Sequence, residues 1–260
     1  SMADDQALTV EVKTEDGTKT YTYSYAQLES ILYGADVSKR DMDTQGRQEK
    51  GYYAYQYYND ALVEDRYEGV NLWYLISEDI GLTSYLGTVE LYAGGSTAAD
   101  ATYTIDEVQQ EGSNSQRGTD GLGMMVAFAK NGYPMVADKD SEGYVKNDSV
   151  TGKTIKNSDG PLMFVRAQTA EEAAQNKVTT SGDKSATVKN LTKIVVNLEP
   201  DSYAHTGADA EQTVRFTGDV ANAEGVTTTV GGLETKQKYL VTDTYTVGGT
   251  AAEYRGLNLY

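Results

Sequence analysis

The chain has 260 residues with 39% hydrophobic content and a formal net charge of −17, large enough to bury a full core without staples. Thirty-nine Asp and Glu against 22 Lys and Arg repel phosphate backbones and anionic lipid, which argues against nucleic-acid partners. No apolar run approaches the roughly 20 residues of a membrane span, so no membrane insertion is expected in this segment; cysteine is absent and His205 is the one histidine, which removes thiolate chemistry and leaves little for a His-dependent triad.

In chain order, Thr9–Lys13 and Thr18–Tyr23 alternate around Asp16-Gly17 and predict a hairpin. Ser24 is placed to cap a short helix through Leu28, Ile31 and Leu32 that Gly34 closes. Tyr52–Tyr58 predicts a strand with aromatic residues on both faces. Asn71–Ile80 predicts a second helix, with Leu72, Leu75 and Ile76 on one side and Gly81 at its end. Thr88–Tyr92 predicts a strand, and Thr104-x-x-Glu107 a capping box for another short helix. Met124–Lys130 is expected to turn at Asn131-Gly132 toward Tyr133–Val136, while Leu162–Ala167 and Val188–Leu198 read as buried or half-buried strands. Many strands with few short helices give an α+β, β-dominant class.

The chain also repeats itself. Lys50–Trp73 lies against Gln237–Tyr260 without a gap, and Tyr52, Tyr58, Tyr67, Gly69, Asn71 and Leu72 meet Tyr239, Tyr245, Tyr254, Gly256, Asn258 and Leu259. Upstream, Thr9–Val12 is echoed by Thr213–Phe216, and Leu28-Glu29 by Leu233-Glu234. The expected division is a complete unit over 3–199, a linker over 200–211, and the truncated start of a second similar unit over 212–260. Two alternatives stand beside it: coincidence between two Tyr- and Thr-rich β segments, or a tail that completes a different fold with the first 200 residues.

Tyr67–Leu82, YEGVNLWYLISEDIGL, resembles a segment of the sulfite-oxidase-like, or oxidoreductase molybdopterin-binding, domain. TVELYAGGSTAADATYTIDEV, GMMVAFAKNGYPM and DGPLMFVRAQ followed by VKNLTKIVVNLE resemble that family's later segments, in its order, over most of residues 8–199. The resemblance implies the sulfite-oxidase-like fold. It also implies a cysteine thiolate on the metal of a molybdenum cofactor, with arginines and a histidine at the pterin phosphate. This chain departs there: it has no cysteine, the strand that would carry the ligand corresponds to Tyr52–Tyr58, and His205 lies in the expected linker. Arg40, Arg47 and Arg166 remain as candidates for holding an anion, or as ordinary ion-pair partners. The molybdenum cofactor is therefore not expected, and the unit reads as degenerate and non-enzymatic.

Two other constellations carry candidate chemistry. Asp138, Asp140, Glu142 and Tyr144 begin like a calcium loop, with oxygen ligands at alternate positions and Gly143 at the turn, but Ser149 stands where the closing glutamate belongs. The other reading is a polar hairpin extension. With 21 Tyr against 3 Phe and 1 Trp, the Gly51–Asp60 segment is a candidate stacking platform, with Tyr53, Tyr55 and Tyr57 on one face. The other reading is plain strand chemistry. Adjacent carboxylates such as Asp106-Glu107 and Glu171-Glu172 identify no acid or base, and Ala93-Gly94-Gly95-Ser96 is a turn signal only.

Acidity, few prolines and no cysteine match an exported bacterial surface protein, with Ser1-Met2 a cloning scar and any signal peptide outside this sequence. The expectation is a non-catalytic structural or ligand-binding module of a multi-domain, extracellular or cell-surface protein. Its expected partners are protein or glycan at the cell surface and neighbouring units of the same chain, with calcium as the one candidate ion. The alternative is a divergent oxidoreductase domain that holds a pterin or other cofactor without thiolate ligation.

Overall fold

The computed structural model describes residues 6–34, 52–59, 61–118, 121, 123–169, 171–172, 186–219, 221 and 224–259, and for 52–64 the backbone alone. Strands predominate over helices, in the β-dominant α+β arrangement that the alternating patterns imply.

The first hairpin joins β1 (Gln6–Thr14) to β2 (Gly17–Ser24), with Thr14 opposite Gly17. Ser24 then caps α1 (Tyr25–Tyr33). Its hydroxyl accepts from the Gln27 amide at 3.1 Å while the Gln27 side chain accepts from the Ser24 amide at 2.8 Å, a reciprocal box. β3 (Tyr52–Asn59) pairs antiparallel with β4 (Ala61–Asn71). β4 was hidden from sequence reasoning because its Glu64-Asp65-Arg66 charges break the apolar alternation.

Asn71 caps the second helix, its side-chain Oδ1 accepting from the Tyr74 amide at 3.0 Å. That helix is α2 (Leu72–Tyr74) for one turn and then widens to a π-helical stretch, Leu75–Ile80. The Ser77 hydroxyl donates to the Trp73 carbonyl at 2.6 Å, a side-chain claim on the backbone ladder that perturbs helices. Gly81 closes the stretch by donating to the Ile76 carbonyl. The remaining strands of this region are β5 (Leu86–Ala93), β6 (Ala101–Thr104), β7 (Met125–Lys130), β8 (Tyr133–Pro134), β9 (Met163–Val165), β10 (Thr187–Lys189) and β11 (Leu191–Glu199). Thr104 boxes the one-turn α3 (Ile105–Val108) through Glu107, and Asn131-Gly132 make the β7–β8 turn with φ of 52° and 86°. The expected strand Val188–Leu198 is divided at Asn190, whose φ is 50°.

Two sheets enclose the main core. One runs β2-β1-β11-β5-β6 and the other β10-β9-β7-β4-β3, with β8 added to β7. β11 lies parallel to β1, from Thr9 opposite Lys193 to Lys13 opposite Asn197. The first and last strands of residues 6–199 are therefore neighbours at the centre of the first sheet. Val10, Leu91 and Ile194 from that sheet meet Val126, Phe128 and Phe164 from the other, with Leu28, Leu32 and Leu75 from the helices. The opposite face of the second sheet carries a smaller cluster of Tyr67, Met125, Ala127, Met163 and Val165. β7 is thus buried on both faces, which is why it reads as an unbroken apolar run.

The tail repeats the opening element order. β12 (Thr213–Phe216) pairs with β13 (Val226–Thr229), a short helix Val230–Glu234 follows, and β14 (Leu240–Val247) pairs with β15 (Thr250–Leu257). Thr229 caps its helix as Ser24 caps α1, and Leu233 follows its cap at the same spacing as Leu28. The two later hairpins differ in register: Tyr53 stands opposite Tyr67, whereas Tyr254 stands opposite Asp243. The tail hairpin closes on Gly248-Gly249, with φ of 58° and 82°, and a two-residue turn of this kind fixes its own register.

Candidate functional site

The described residues among those singled out by sequence lie on separate elements. Tyr53, Tyr55 and Tyr57 occupy β3, an edge of the second sheet, at backbone positions opposite Tyr67, Asp65 and Val63. Arg166 follows β9, separated from β3 by β7 and β4, which is roughly 14 Å at ordinary strand spacing. Arg40 and Arg47 lie outside the described residues.

Arg166 is buried and held by its own chain. Its guanidinium grips the Glu172 carboxylate with two nitrogens, Nη1 to Oε1 and Nη2 to Oε2, the latter at 3.1 Å. Nε donates to the Tyr103 hydroxyl at 3.3 Å, and Nη1 also reaches the Ala167 carbonyl. Glu172 is fixed in turn, since its Oε1 accepts from the Thr169 amide at 3.1 Å. A planar guanidinium satisfied by a bidentate carboxylate and a phenol has its recognition geometry filled. An external anion would have to displace Glu172. The ion pair joins Arg166 to a carboxylate from the Glu171-Glu172 pair, a relationship that spacing alone did not reveal.

The Asp138–Tyr144 loop is organised by its own hydrogen bonds. Asp138 Oδ1 accepts from the Asp140 amide at 2.9 Å and the Ser141 hydroxyl at 3.0 Å, and the Tyr144 amide donates to the Ser141 carbonyl. This is the turn chemistry of a polar hairpin extension. Asn157 ties the loop down from the centre: its Nδ2 donates to the Pro134 and Gly143 carbonyls, and its Oδ1 accepts from the Val145 amide. Farther along, Asp148 accepts from the Tyr133 hydroxyl at 2.6 Å and from the Val150 and Thr151 amides. These bonds stabilise the ionised form and hold Asp148 well below the usual carboxylate range, the Thr151 amide first among them. Among the described residues, no three His, Cys, Asp or Glu side chains are grouped to hold a metal ion.

Glu68 is a titratable group that sequence reasoning missed. It is buried on β4, and burial together with the Glu29 carboxylate on α1 pushes its pKa up to about 7. Strand alternation was the available signal, because Glu68 and the core residue Val70 share a face.

The donor set does not fit a thiolate-ligated molybdenum cofactor. The chain has no cysteine, and the buried guanidinium that could meet a phosphate is closed by Glu172. His205 is exposed and bonds Glu234 through both its amide, at 2.9 Å, and Nδ1, at 3.1 Å, tying the 200–211 segment to the tail helix. An open groove of about 560 Å³ at the tail hairpin is lined by residues that include Tyr245, Tyr254, Leu259, Glu111 and Gly112. No helix among the described residues is long and apolar enough to cross a membrane. No protein-family model matches the chain, and no curated protein matches it either.

Proposed function

We propose that the chain is a non-catalytic structural or ligand-binding module of an exported, multi-domain bacterial surface protein, built on a degenerate sulfite-oxidase-like fold. The observation that carries this reading is the Arg166–Glu172 pair, in which the one buried arginine among the described residues is neutralised by its own chain. In support of the fold, the four resembling segments lie on successive elements: β4 with α2, β5, the β7–β8 hairpin, and β9 through β11. In support of tandem units, the tail repeats the ββα-ββ order of the opening with its cap and Leu-Glu pair at matching spacing. The ligand-binding face in this reading is that of Tyr53, Tyr55 and Tyr57, for a glycan or protein at the cell surface. In the tail hairpin Leu240, Thr242 and Thr244 replace them, so the aromatic face belongs to the first unit alone.

A metal inventory by mass spectrometry, on protein purified from its native host, tests the reading. Molybdenum and tungsten below one-tenth stoichiometry are expected. Either metal at one per chain would overturn the proposal in favour of a cofactor-binding oxidoreductase that manages without cysteine.

A further inference from the structure

The outer edge of β15 has the sequence of a strand whose partner is visible elsewhere in the molecule. In the first unit, β4 has β3 on one side and β7 on the other. Tyr67 stands opposite Lys130, Gly69 opposite Ala127, Val70 opposite Val126 and Asn71 opposite Met125, with a bulge between Glu68 and Gly69. Gly69 is required sterically. A Cβ there would stand 2.1 Å from the Val126 carbonyl oxygen and 2.5 Å from the Ala127 Cα. The neighbouring backbone passes where a side chain would be.

Tyr254-Arg255-Gly256-Leu257-Asn258-Leu259 repeats Tyr67-Glu68-Gly69-Val70-Asn71-Leu72 at four of six positions. Here β14 is the sole ladder partner of β15 among the described residues. Among the described residues, nothing lies within 4 Å of where a Gly256 Cβ would stand, and its φ lies outside the left-handed region. Neither backbone conformation nor packing against the described residues calls for glycine at this position, yet the pattern keeps it.

Burial points the same way. Tyr67 is 3% exposed and Leu72 fully buried, whereas Tyr254 is 50% and Leu259 73% exposed. Of the eight large hydrophobic side chains exposed among the described residues, seven lie beyond residue 200, where Leu240 is the one that is buried. Tyr254 on β15 and Leu259 just beyond it are exposed apolar side chains at an open strand edge, and such an edge is a template for pairing.

We infer that the outer edge of β15 accepts one added β-strand from outside residues 1–260, and that this strand has the chemistry of β7. It is an apolar segment with a small residue passing Gly256 and Val- and Met-like side chains flanking it, covering Tyr254 and Leu259. Backbone hydrogen bonds supply the attachment, and the glycine supplies the selection for close approach. The inference rests on the repeat that also supports tandem units, but it involves neither the Tyr53 face nor Arg166, so a metal found in the inventory would leave it standing and failed peptide binding would leave the non-catalytic reading standing.

The test uses the full chain and a fluorescent synthetic peptide of residues 123–131 carrying a Lys-Lys tag, with an otherwise identical peptide bearing Ala127→Pro as control. Saturable binding of the first peptide only, with amide exchange slowed at least tenfold over 254–257, is expected. With no described atom within 4 Å of a Cβ at position 256, Gly256→Val should leave Tm unchanged and weaken peptide binding at least tenfold. Equal binding by the Gly256→Val chain, equal binding of the proline peptide, or no slowing at β15 would each overturn the inference. Self-association of the chain through β15 that excess peptide fails to displace would overturn it as well.

Discussion

Gln109 donates from Nε2 to the Leu240 carbonyl at 2.9 Å, a buried bond between residues 131 positions apart. Around it, the Ser113 hydroxyl donates to Asp243 at 2.7 Å and accepts from the Thr244 amide at 2.8 Å. Arg255 pairs with Asp201 at 2.8 Å, and Lys238 with Glu78 at 2.9 Å. The tail hairpin is therefore docked on the α3 loop and the second helix by polar contacts, with Leu240 as its apolar anchor.

Replacing Gln109 by Leu leaves the Leu240 carbonyl without its donor, and an unsatisfied buried acceptor costs about 1–3 kcal/mol. The expected result is faster hydrogen exchange over 240–257 with β1 and β11 unchanged. Equal acceleration in β1 and β11 would show that tail and first unit open as one cooperative body.

Removing one partner of the buried pair strands the other charge. Glu172→Gln is predicted to lower the unfolding free energy by about 3–5 kcal/mol, and Arg166→Met combined with Glu172→Leu to recover most of that loss. Urea melts at constant pH measure both. A wild-type midpoint for Glu172→Gln would remove the pair from the account of this core.

Stability should fall across the neutral range because of Glu68. Its pKa in the folded chain is about 7 against an ordinary value of 4.5, so the folded state holds the proton more tightly. The contribution is fully present below about pH 4.5 and is lost as pH rises through 7, with an upper bound of about 3 kcal/mol. Glu68→Gln should flatten this part of the profile and melt higher than the parent at pH 8. An unchanged slope between pH 5 and 8 would show that Glu68 is not its source.

Calcium should not stabilise the Asp138 loop. With Asp138 engaged by Asp140 and Ser141, millimolar calcium is expected to move Tm by less than about 1 °C. A rise of several degrees that Asp140→Asn abolishes would establish a calcium site there.

Local chemistry was legible in the sequence wherever a short signal decides the backbone. The Ser24 cap, the Thr104 box, the Asn131-Gly132 turn and the apolar run of β7 all stand where their residues indicate. Features that depend on distant partners were not legible. β4 carries charges because Asp65 meets Asn131 and lies near Lys130, contacts no local pattern announces. The π-winding after Tyr74 keeps the predicted buried face of Leu72, Leu75 and Ile76 while changing the ladder beneath it. The gapless alignment of the repeats matched the two segments but showed neither that each is a hairpin nor that their registers differ, because turn geometry sets strand pairing independently of identity. For the candidate site, the sequence offered Arg166 as an anion holder or an ion-pair partner, and the fold supplies the carboxylate, Glu172, that it pairs with.

The parallel pairing of β1 with β11 has a mechanical consequence. Tension applied through the two ends of residues 6–199 pulls these adjacent strands in opposite directions along their length. The rungs from Thr9–Lys193 to Lys13–Asn197 then share the load side by side instead of parting one after another. A unit strung between neighbours would resist stretching as a lap joint does, failing only when the whole seam slides.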